Sequence, residues 1–203
     1  MTRLATGTPA VLLLTALLGG GEATAQTIQL APFAGYQFGG SFVQQATGLK
    51  FSLDSSLDYG GTVDVAISKN WRFEALYSRQ ESKLQGGGGG ALFDLNVERL
   101  MGGIVEEKGE GRTRWFGVFL AGATRYSPRL AGFDTDTRFT LGVDLGLKSF
   151  FSDHFGMRAE VRGFYTFTET NGGVFCGNGT CLFLFGGSGV WQGDVSGGLI
   201  LAF

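Results

Sequence analysis

The sequence predicts an all-β fold, an eight-stranded antiparallel up-and-down transmembrane β-barrel. Three observations favour it: apolar and polar residues alternate with a period of two, such segments number eight, and the connections between them are long and short in turn. Alternation over strand-length segments is typical of a sheet with two different faces. No segment after residue 26 is long and apolar enough for a membrane-spanning helix. The β class follows from the period, and the barrel follows from the connections and the chain end.

The composition excludes several other classes of protein. The 203 residues contain 36 Gly and 19 Phe, and 43% of the residues are hydrophobic. Glycine without a G-X-Y repeat is not collagen-like, and so many phenylalanines are not typical of a disordered chain. The formal net charge is −2, and no basic cluster is interleaved with aromatic residues. Nucleic acid is therefore not expected as a partner.

The first 25 residues are predicted to be a cleaved signal peptide. Arg3 supplies a positive charge, the apolar stretch AVLLLTALLGG follows, and Ala23-Thr24-Ala25 offers a small-residue cleavage site. An amino-terminal membrane anchor is the alternative, but the stretch is shorter than the roughly 18 residues that a spanning helix needs. The chain thus divides into a leader, 1–25, and a barrel domain, 26–203.

Eight strands are predicted in order along the barrel domain. They lie at about 28–40, 51–67, 71–81, 92–105, 114–126, 137–150, 155–168 and 190–203. The second is interpreted as one long two-faced strand, because the odd positions from Phe51 to Ile67 are mostly apolar and the even positions mostly polar. The facing of the fourth and fifth strands stays open, since Arg99 and Trp115 suit neither phase and a bulge can reset a strand.

The connections between the strands sort into two lengths. SKN and SDH are short, whereas GSFVQQATGLK, SKLQGGGGGA and the stretch from 170 to 189 are long. A barrel with short periplasmic turns and longer extracellular loops has this alternation. A soluble secreted β-sandwich, the competing all-β fold, does not require it. The glycine run 86–90 is interpreted as a flexible loop.

The two faces of the strands carry different side chains. Trp71, Trp115 and Trp191 stand at strand starts, where an aromatic girdle would meet the lipid headgroups; core aromatics near strand ends are the alternative. The polar face carries charges of both signs, which are expected to pair inside the barrel because unpaired buried charge is costly. The predicted interior charges are Arg72, Glu74, Asp144, Lys148, Arg158, Glu160, Arg162 and Asp194.

The last strand ends in an apolar alternation, in which Phe203, Leu201, Leu199 and Val195 share one face. This ending resembles the carboxy-terminal assembly signal of bacterial outer-membrane barrels. Together with the leader and the loop lengths, it makes the mature chain resemble the small eight-stranded outer-membrane barrels, the group of the OmpA transmembrane domain, OmpX and the opacity proteins. The resemblance covers residues 26–203. It implies a place in the bacterial outer membrane, with membrane lipid as a partner and the barrel-assembly machinery as a partner during biogenesis.

The resemblance and the residues together predict a non-enzymatic, porin-like membrane protein. Its role is expected to be structural, or to be surface recognition and adhesion through an extracellular ligand bound by the loops. Side chains fill the interior of an eight-stranded barrel, so paired charges are expected to plug it, and neither a cofactor nor a metal is expected. A narrow channel or a carrier for small or apolar molecules is the alternative function. A lipid A-modifying enzyme is disfavoured because the one histidine, His154, lies in a short turn and no G-x-S-x-G or H-E-x-x-H motif occurs.

The longest loop contains both cysteines of the chain, Cys176 and Cys181. In an exported protein, with the turn-forming residues GNGT between them, a disulfide is expected. A lone cysteine pair is a poor zinc site. The apolar residues Phe175 and 182–185 flank the cysteines, and they either offer a contact surface or extend the neighbouring strands into a hairpin.

Overall fold

The computed structural model describes residues 27–43, 50–86, 90–130, 133–168, 173–177, 180–184 and 189–203. The predicted leader, 1–25, and the centre of the glycine run lie outside these residues. The strands in the described part are β1 (Ile28–Gly39), β2 (Ser41–Val43), β3 (Lys50–Leu53), β4 (Ser56–Ala66), β5 (Trp71–Gln85), β6 (Ala91–Lys108), β7 (Thr113–Pro128), β8 (Asp136–Phe150), β9 (Phe155–Phe167), β10 (Gly173–Gly177), β11 (Thr180–Leu184) and β12 (Gly189–Ala202).

Eight of these strands close into a ring. The order round the ring is β1, β4, β5, β6, β7, β8, β9, β12 and back to β1, and every pairing is antiparallel. A closed ring has no free sheet edge, so the backbone polar groups of the wall are paired within it. The predicted eight-stranded antiparallel barrel is confirmed.

The strands are staggered round the ring. The row of paired residues that leaves β9 at Phe155 passes through Leu30 in β1 and Gly102 in β6, and it returns to β9 at Tyr165, ten residues further on. Such a stagger tilts the strands by about 35–45° against the barrel axis. Each row of paired side chains therefore climbs the wall as a spiral.

Both ends of the described chain lie at the end of the barrel that carries the short turns. The turns are 67–70, 109–112 and 151–154, and the Phe203 N–H donates to the Ile28 carbonyl at 2.9 Å. Short turns mark the periplasmic end of outer-membrane barrels, so the resemblance predicts that this end faces the periplasm. Within the described residues, no helix is long and apolar enough to cross a membrane.

The prediction of one continuous strand over 51–67 is wrong. β3 and β4 are separated by Asp54 and Ser55, and the Asp54 N–H donates to the Lys83 carbonyl at 2.9 Å. Phe51 and Leu53 face the lumen, whereas Leu57 faces outwards. The break shifts the phase by one residue, which moves a whole side-chain set to the other face. The sequence alone does not reveal this shift, because the odd positions are apolar both before and after the break.

β6 and β7 settle the facing that the sequence left open. Their pairing runs without a register shift from Leu95 opposite Pro128 to Lys108 opposite Trp115. Arg99 faces the lumen, and Trp115 faces outwards with 67% of its surface exposed. No bulge in this pairing resets the phase. The middle of the two strands is apolar on both faces because one face contacts lipid and the other a lumenal core.

The longest loop contains the β10–β11 hairpin. Its backbone pairs Cys176 directly with Cys181. The side chains of both cysteines lie outside the described part of the structure, so the disulfide between them stays a prediction.

Candidate functional site

The middle of the lumen holds a network of ion pairs centred on Arg158 of β9. Arg158 donates to Thr62 Oγ1 at 2.6 Å and from two nitrogens to Glu74 Oε2 at 3.1 Å, and it also bonds to Glu160. Its guanidinium lies 3.7 Å from Asp144 Oδ2. The Arg158 side chain has no exposed surface. Four strands, β4, β5, β8 and β9, are thus tied together through one side chain.

Arg162 extends this network towards β12. It bonds to Glu160 and donates to Asp194 Oδ1 at 3.2 Å, and its Nε lies 3.5 Å from Asp144 Oδ2. The Ser196 hydroxyl donates to Glu160 at 3.2 Å. Charge-assisted bonds of this kind are stronger than neutral ones, especially away from water. Arg162 therefore contacts one carboxylate from each of β8, β9 and β12.

A second cationic centre lies nearer the short-turn end. Lys148 Nζ donates to Asp64 and to Glu107 at 2.7 Å each and to Gln29 Oε1 at 3.0 Å. Arg72 approaches Glu107 at 3.9 Å. These pairs join β1, β4, β5, β6 and β8 at the periplasmic mouth of the lumen.

A third centre lies on the other side of the network, towards the long loops. Arg99 donates to Gln37 Oε1 at 2.9 Å and to Gln192 Oε1 at 2.6 Å, and its guanidinium lies 4.6 Å from the centre of the Phe164 ring. The predicted interior charges are all buried in the lumen: Arg72, Glu74, Asp144, Lys148, Arg158, Glu160, Arg162 and Asp194. The sequence reading missed Arg99, Asp58, Asp64 and Glu107, which are buried there as well.

Apolar side chains form a cluster at each end of the lumen. The layer at the loop end consists of Phe51, Leu53, Leu84, Leu95, Val97, Tyr126 and Val190. The layer at the short-turn end consists of Ala31, Phe150, Ile200 and Ala202. A third cluster beside the ion pairs consists of Phe33, Leu76, Met101, Val105, Phe116, Val118, Leu120 and Phe164.

The apolar cluster beside the ion pairs contacts the cations directly. The Phe116 ring centre lies 4.8 Å from the Arg158 guanidinium and 5.1 Å from Lys148 Nζ, and the Phe33 ring centre lies 4.0 Å from the Arg162 guanidinium. A desolvated cation over an aromatic face is attracted by the ring quadrupole. Glycine makes room for these rings, since a Cβ on Gly146 would stand 2.3 Å from Phe116 Cζ.

The outer wall of the barrel is apolar. Its exposed residues include Leu57, Leu100, Phe119, Val143, Leu145, Val161, Val195 and Leu199. Trp71 and Trp115 face outwards near the short turns, and Trp191 faces outwards towards the long loops, in contact with Tyr165 at a ring distance of 4.8 Å. Of the predicted assembly signal, Phe203, Leu199 and Val195 are exposed and Leu201 is half-buried. A closed barrel with such a belt spans a membrane.

The rim at the long-loop end is uneven. β6 is 18 residues long, whereas β4 has 11. On the outer face of β5 to β7 the belt gives way to charges, where Arg79 pairs with Glu81 at 3.2 Å and Arg129 pairs with Glu81 at 3.0 Å. Charged side chains on the outer face are unfavourable in the hydrocarbon region and tolerated only near its boundary. These ion pairs therefore mark where the lipid ends.

Known proteins resemble this chain in structure. Neisserial surface protein A matches with a TM-score of 0.63 at 15% identity, covering 89% of this chain and 100% of that one. The outer membrane protein OprG from Pseudomonas aeruginosa matches with a TM-score of 0.56 at 13% identity, covering 88% and 98%. The outer membrane protein AlkL, determined in lipid bilayers, matches with a TM-score of 0.52 at 11% identity, covering 100% and 97%.

The chain has the fold of the small eight-stranded outer-membrane barrels. Its place in the bacterial outer membrane follows from that fold and from the apolar belt. No protein-family model and no curated protein matches the sequence. At these identities the likeness carries the fold and no activity, so the function has to be argued from the residues.

The described residues do not assemble a recognisable catalytic or metal site. No group of three or more His, Cys, Asp or Glu among them is arranged to hold a metal ion. His154 is exposed in the turn between β8 and β9, where its backbone N–H lies 3.3 Å from Ser152 Oγ. Six of the buried carboxylates contact arginine or lysine, namely Asp64, Glu74, Glu107, Asp144, Glu160 and Asp194. Glu107 also lines a surface pocket near the short turns.

Proposed function

We propose that the protein is a non-enzymatic, non-conducting outer-membrane barrel that serves as a surface scaffold and presents its extracellular rim for recognition or adhesion. The filled lumen carries this proposal. Three cationic centres and two apolar layers occupy it from one mouth to the other. A hydrated ion would have to break buried ion pairs and then cross apolar layers, both of which are costly.

The rim supports the recognition part of the proposal. The long strands β5 to β7 carry charged residues beyond the apolar belt, and the longest loop adds the β10–β11 hairpin. Loops on a rigid scaffold are where binding residues concentrate. Outer-membrane lipid surrounds the belt, the assembly machinery acts on the chain during biogenesis, and an extracellular ligand binds at the loops.

Conductance of the purified, refolded protein in planar lipid bilayers tests the filled lumen. We expect a baseline without steady channels under conditions in which a general diffusion porin conducts. Discrete, long-lived conductance steps would overturn the non-conducting barrel. An adherence assay on a cultured cell layer then separates recognition from a purely structural role. It compares bacteria that express the whole chain with bacteria that express a variant shortened at 169–188.

One observation favours a second function, that of a carrier for apolar molecules. The layer at the loop end is built from seven apolar or aromatic side chains that face the lumen. The pairing of β8 with β9 starts only at Thr140 opposite Thr166, below the end of β8. An apolar solute would therefore meet an apolar lumenal surface beside a shorter wall. Protein-dependent transfer of a fluorescent fatty-acid analogue into vesicles, without ion conductance, would favour this function over the scaffold.

A further inference from the structure

Two glycines on opposite faces of the wall, Gly35 and Gly117, differ in what surrounds them. On the inner face, a Cβ on Gly35 would stand 2.7 Å from Asp58 Oδ1, so packing inside the lumen requires glycine. On the outer face, a Cβ on Gly117 would meet Leu145 Cδ2 at 3.5 Å and Asp144 O at 3.9 Å, which are ordinary contacts. The barrel itself therefore does not need glycine at 117. Glycine inside a strand often marks a place where another molecule approaches closely.

Gly117 lies on the floor of a groove in the lipid-facing wall. The groove has a volume of about 590 Å³, and Trp115, Leu145, Leu147, Ala159 and Val161 line it beside Gly117. Leu145 is 71% exposed and stands above the small residues as a side wall of the groove. The groove is thus a depression between tall apolar side chains rather than a flat part of the belt.

The groove lies between two adjacent rows of paired residues. The lower row runs from Lys108 in β6 through Trp115 and Leu147 to Ala159 in β9. The upper row runs from Glu106 in β6 through Gly117, Leu145 and Val161 to Val195 in β12. Four strand spacings of about 4.7–4.9 Å make it roughly 19 Å long. Because the rows climb with the stagger of the barrel, it starts near the short turns and ends near mid-height, half-way across a hydrocarbon core of about 30 Å.

The lower end of the groove carries one charge of each sign. Lys108 Nζ lies 3.2 Å from Glu106 Oε1 on the outer face of β6, and both side chains are exposed. Trp115 is paired with Lys108 in the neighbouring strand, at the height where amphipathic rings meet the headgroups. The groove thus joins a pair of opposite charges at the membrane boundary to an apolar channel that leads into the hydrocarbon.

We propose that this groove is a binding site for one zwitterionic phospholipid of the periplasmic leaflet. The lipid phosphate bonds to Lys108, the lipid ammonium bonds to Glu106, and one acyl chain lies over Gly117 between Leu145 and Trp115. A headgroup with one positive and one negative charge matches the Lys108–Glu106 pair, whereas an anionic headgroup leaves the Glu106 carboxylate facing a negative charge. Charge complementarity thus favours binding of this lipid at the groove over the other lipids that surround the belt.

Native mass spectrometry of the refolded protein tests the groove, using detergent micelles that contain equal amounts of phosphatidylethanolamine and phosphatidylglycerol. We expect one retained phosphatidylethanolamine per barrel. Gly117→Leu fills the groove and should abolish this retention. Gly61→Leu is the matched control, because Gly61 is also an outer-face glycine with room for a Cβ and it lies outside the groove. Heat-modifiable gel mobility verifies that both variants fold, and Ala159→Phe replaces Gly117→Leu if the latter does not.

The charge pair is tested in the same experiment by Lys108→Glu, with Lys83→Glu at the opposite end of the barrel as its control. Loss of a charged hydrogen bond should reduce phosphatidylethanolamine retention about tenfold for Lys108→Glu, and retention should be unchanged for Lys83→Glu. Equal retention of phosphatidylglycerol by the unaltered protein would overturn the proposal. It would also be overturned if Gly117→Leu retained lipid as well as Gly61→Leu, or if Gly117→Leu converted a dimer into a monomer, since the occupant would then be a second copy of the chain.

Discussion

The inner wall formed by β8, β9 and β12 is charged in its middle, whereas the inner wall formed by β6 and β7 is largely apolar there. The charged wall presents Asp144, Arg158, Glu160, Arg162 and Asp194 to the lumen. The apolar wall presents Met101, Val105, Phe116, Val118 and Leu120. The two walls meet where cations lie over aromatic rings, as Arg158 does over Phe116.

The difference shows two ways in which side chains fill the lumen of a narrow barrel. Ion pairs fill one wall at the cost of desolvating charged groups, and apolar packing fills the other wall without that cost. The two walls depend on each other, because the buried arginines contact carboxylates on the charged wall and aromatic rings at the same time. Substitutions in the charged wall should therefore change the free energy of unfolding by different amounts, and for different reasons, than substitutions in the apolar wall.

The largest effect is expected from Arg158→Met in the charged wall. Removing this cation leaves Glu74 buried without its arginine partner and Glu160 with only one of its two arginines. Breaking a buried ion pair from one side costs about 3–5 kcal/mol. Urea unfolding in lipid vesicles, followed by tryptophan fluorescence and gel mobility, measures the loss. Arg125→Met removes an exposed arginine of β7 and should change stability by less than about 0.5 kcal/mol. Similar losses for the two variants would contradict the role of Arg158 as the network centre.

A somewhat smaller effect is expected from Val161→Arg, which places a charge on the lipid side of the charged wall. Val161 is exposed at the middle of β9, where an arginine in lipid costs about 2–4 kcal/mol. Leu199→Arg is closer to the short-turn end of β12 and should cost less, since the penalty falls towards the interface. Val161→Leu is the conservative control. The same unfolding experiment would disprove the depth assigned to these residues if Leu199→Arg were the more damaging change.

Val105→Ala is the matching test of the apolar wall. Val105 is fully buried in the cluster beside the ion pairs, so the loss of two methyl carbons and the cavity left behind should cost about 2 kcal/mol. Val143→Ala removes the same atoms from the lipid-facing side of β8 and should cost less than about 1 kcal/mol, because lipid can fill the space. A larger loss at Val143 would mean that β6 and β8 face the other way.

The comparison of the two walls also explains what the sequence could predict. In β9 the inner set Arg158, Glu160 and Arg162 alternates with an apolar outer set, so the period of two identifies both the strand and its facing. In the middle of β6, from Leu100 to Val105, both faces are apolar, and towards its ends the outer face is polar as well, so the facing of Arg99 could not be decided from the alternation. The interior charge Glu107 was missed because β6 continues into what reads as a polar turn, EEKGEGR.

Other features required three dimensions. Phe51 faces the lumen because β3 and β4 are separated at Asp54, and nothing in a two-period pattern marks such a break. The partners of Lys148 come from β1, β4 and β6, up to 119 residues away in the chain, so the identity of each pair depends on the stagger of the ring. The stagger depends on the register of all eight strand pairings together, so the sequence of a single strand does not predict it.

The smallest effect, and one of opposite sign, is expected from Asp58→Asn. The described lumen buries seven carboxyl groups, Asp58, Asp64, Glu74, Glu107, Asp144, Glu160 and Asp194, but only five cations, Arg72, Arg99, Lys148, Arg158 and Arg162. Asp58 Oδ1 and Asp194 Oδ2 both lie beside Gly35, and neither oxygen has a hydrogen-bond partner. An amide at 58 removes one of two adjacent like charges and supplies an N–H donor to the other, so stability should be unchanged or rise by up to about 1 kcal/mol.

Glu74→Gln is the matched control for this change, because it also replaces a buried carboxylate by its amide. Glu74 Oε2 accepts two hydrogen bonds from Arg158, and the amide weakens both. The two variants should therefore shift the urea midpoint in opposite directions although the charge change is the same. If both destabilise the barrel equally, the surplus of carboxylates imposes no repulsion, and the buried carboxylates of the lumen are balanced by something other than its five buried cations.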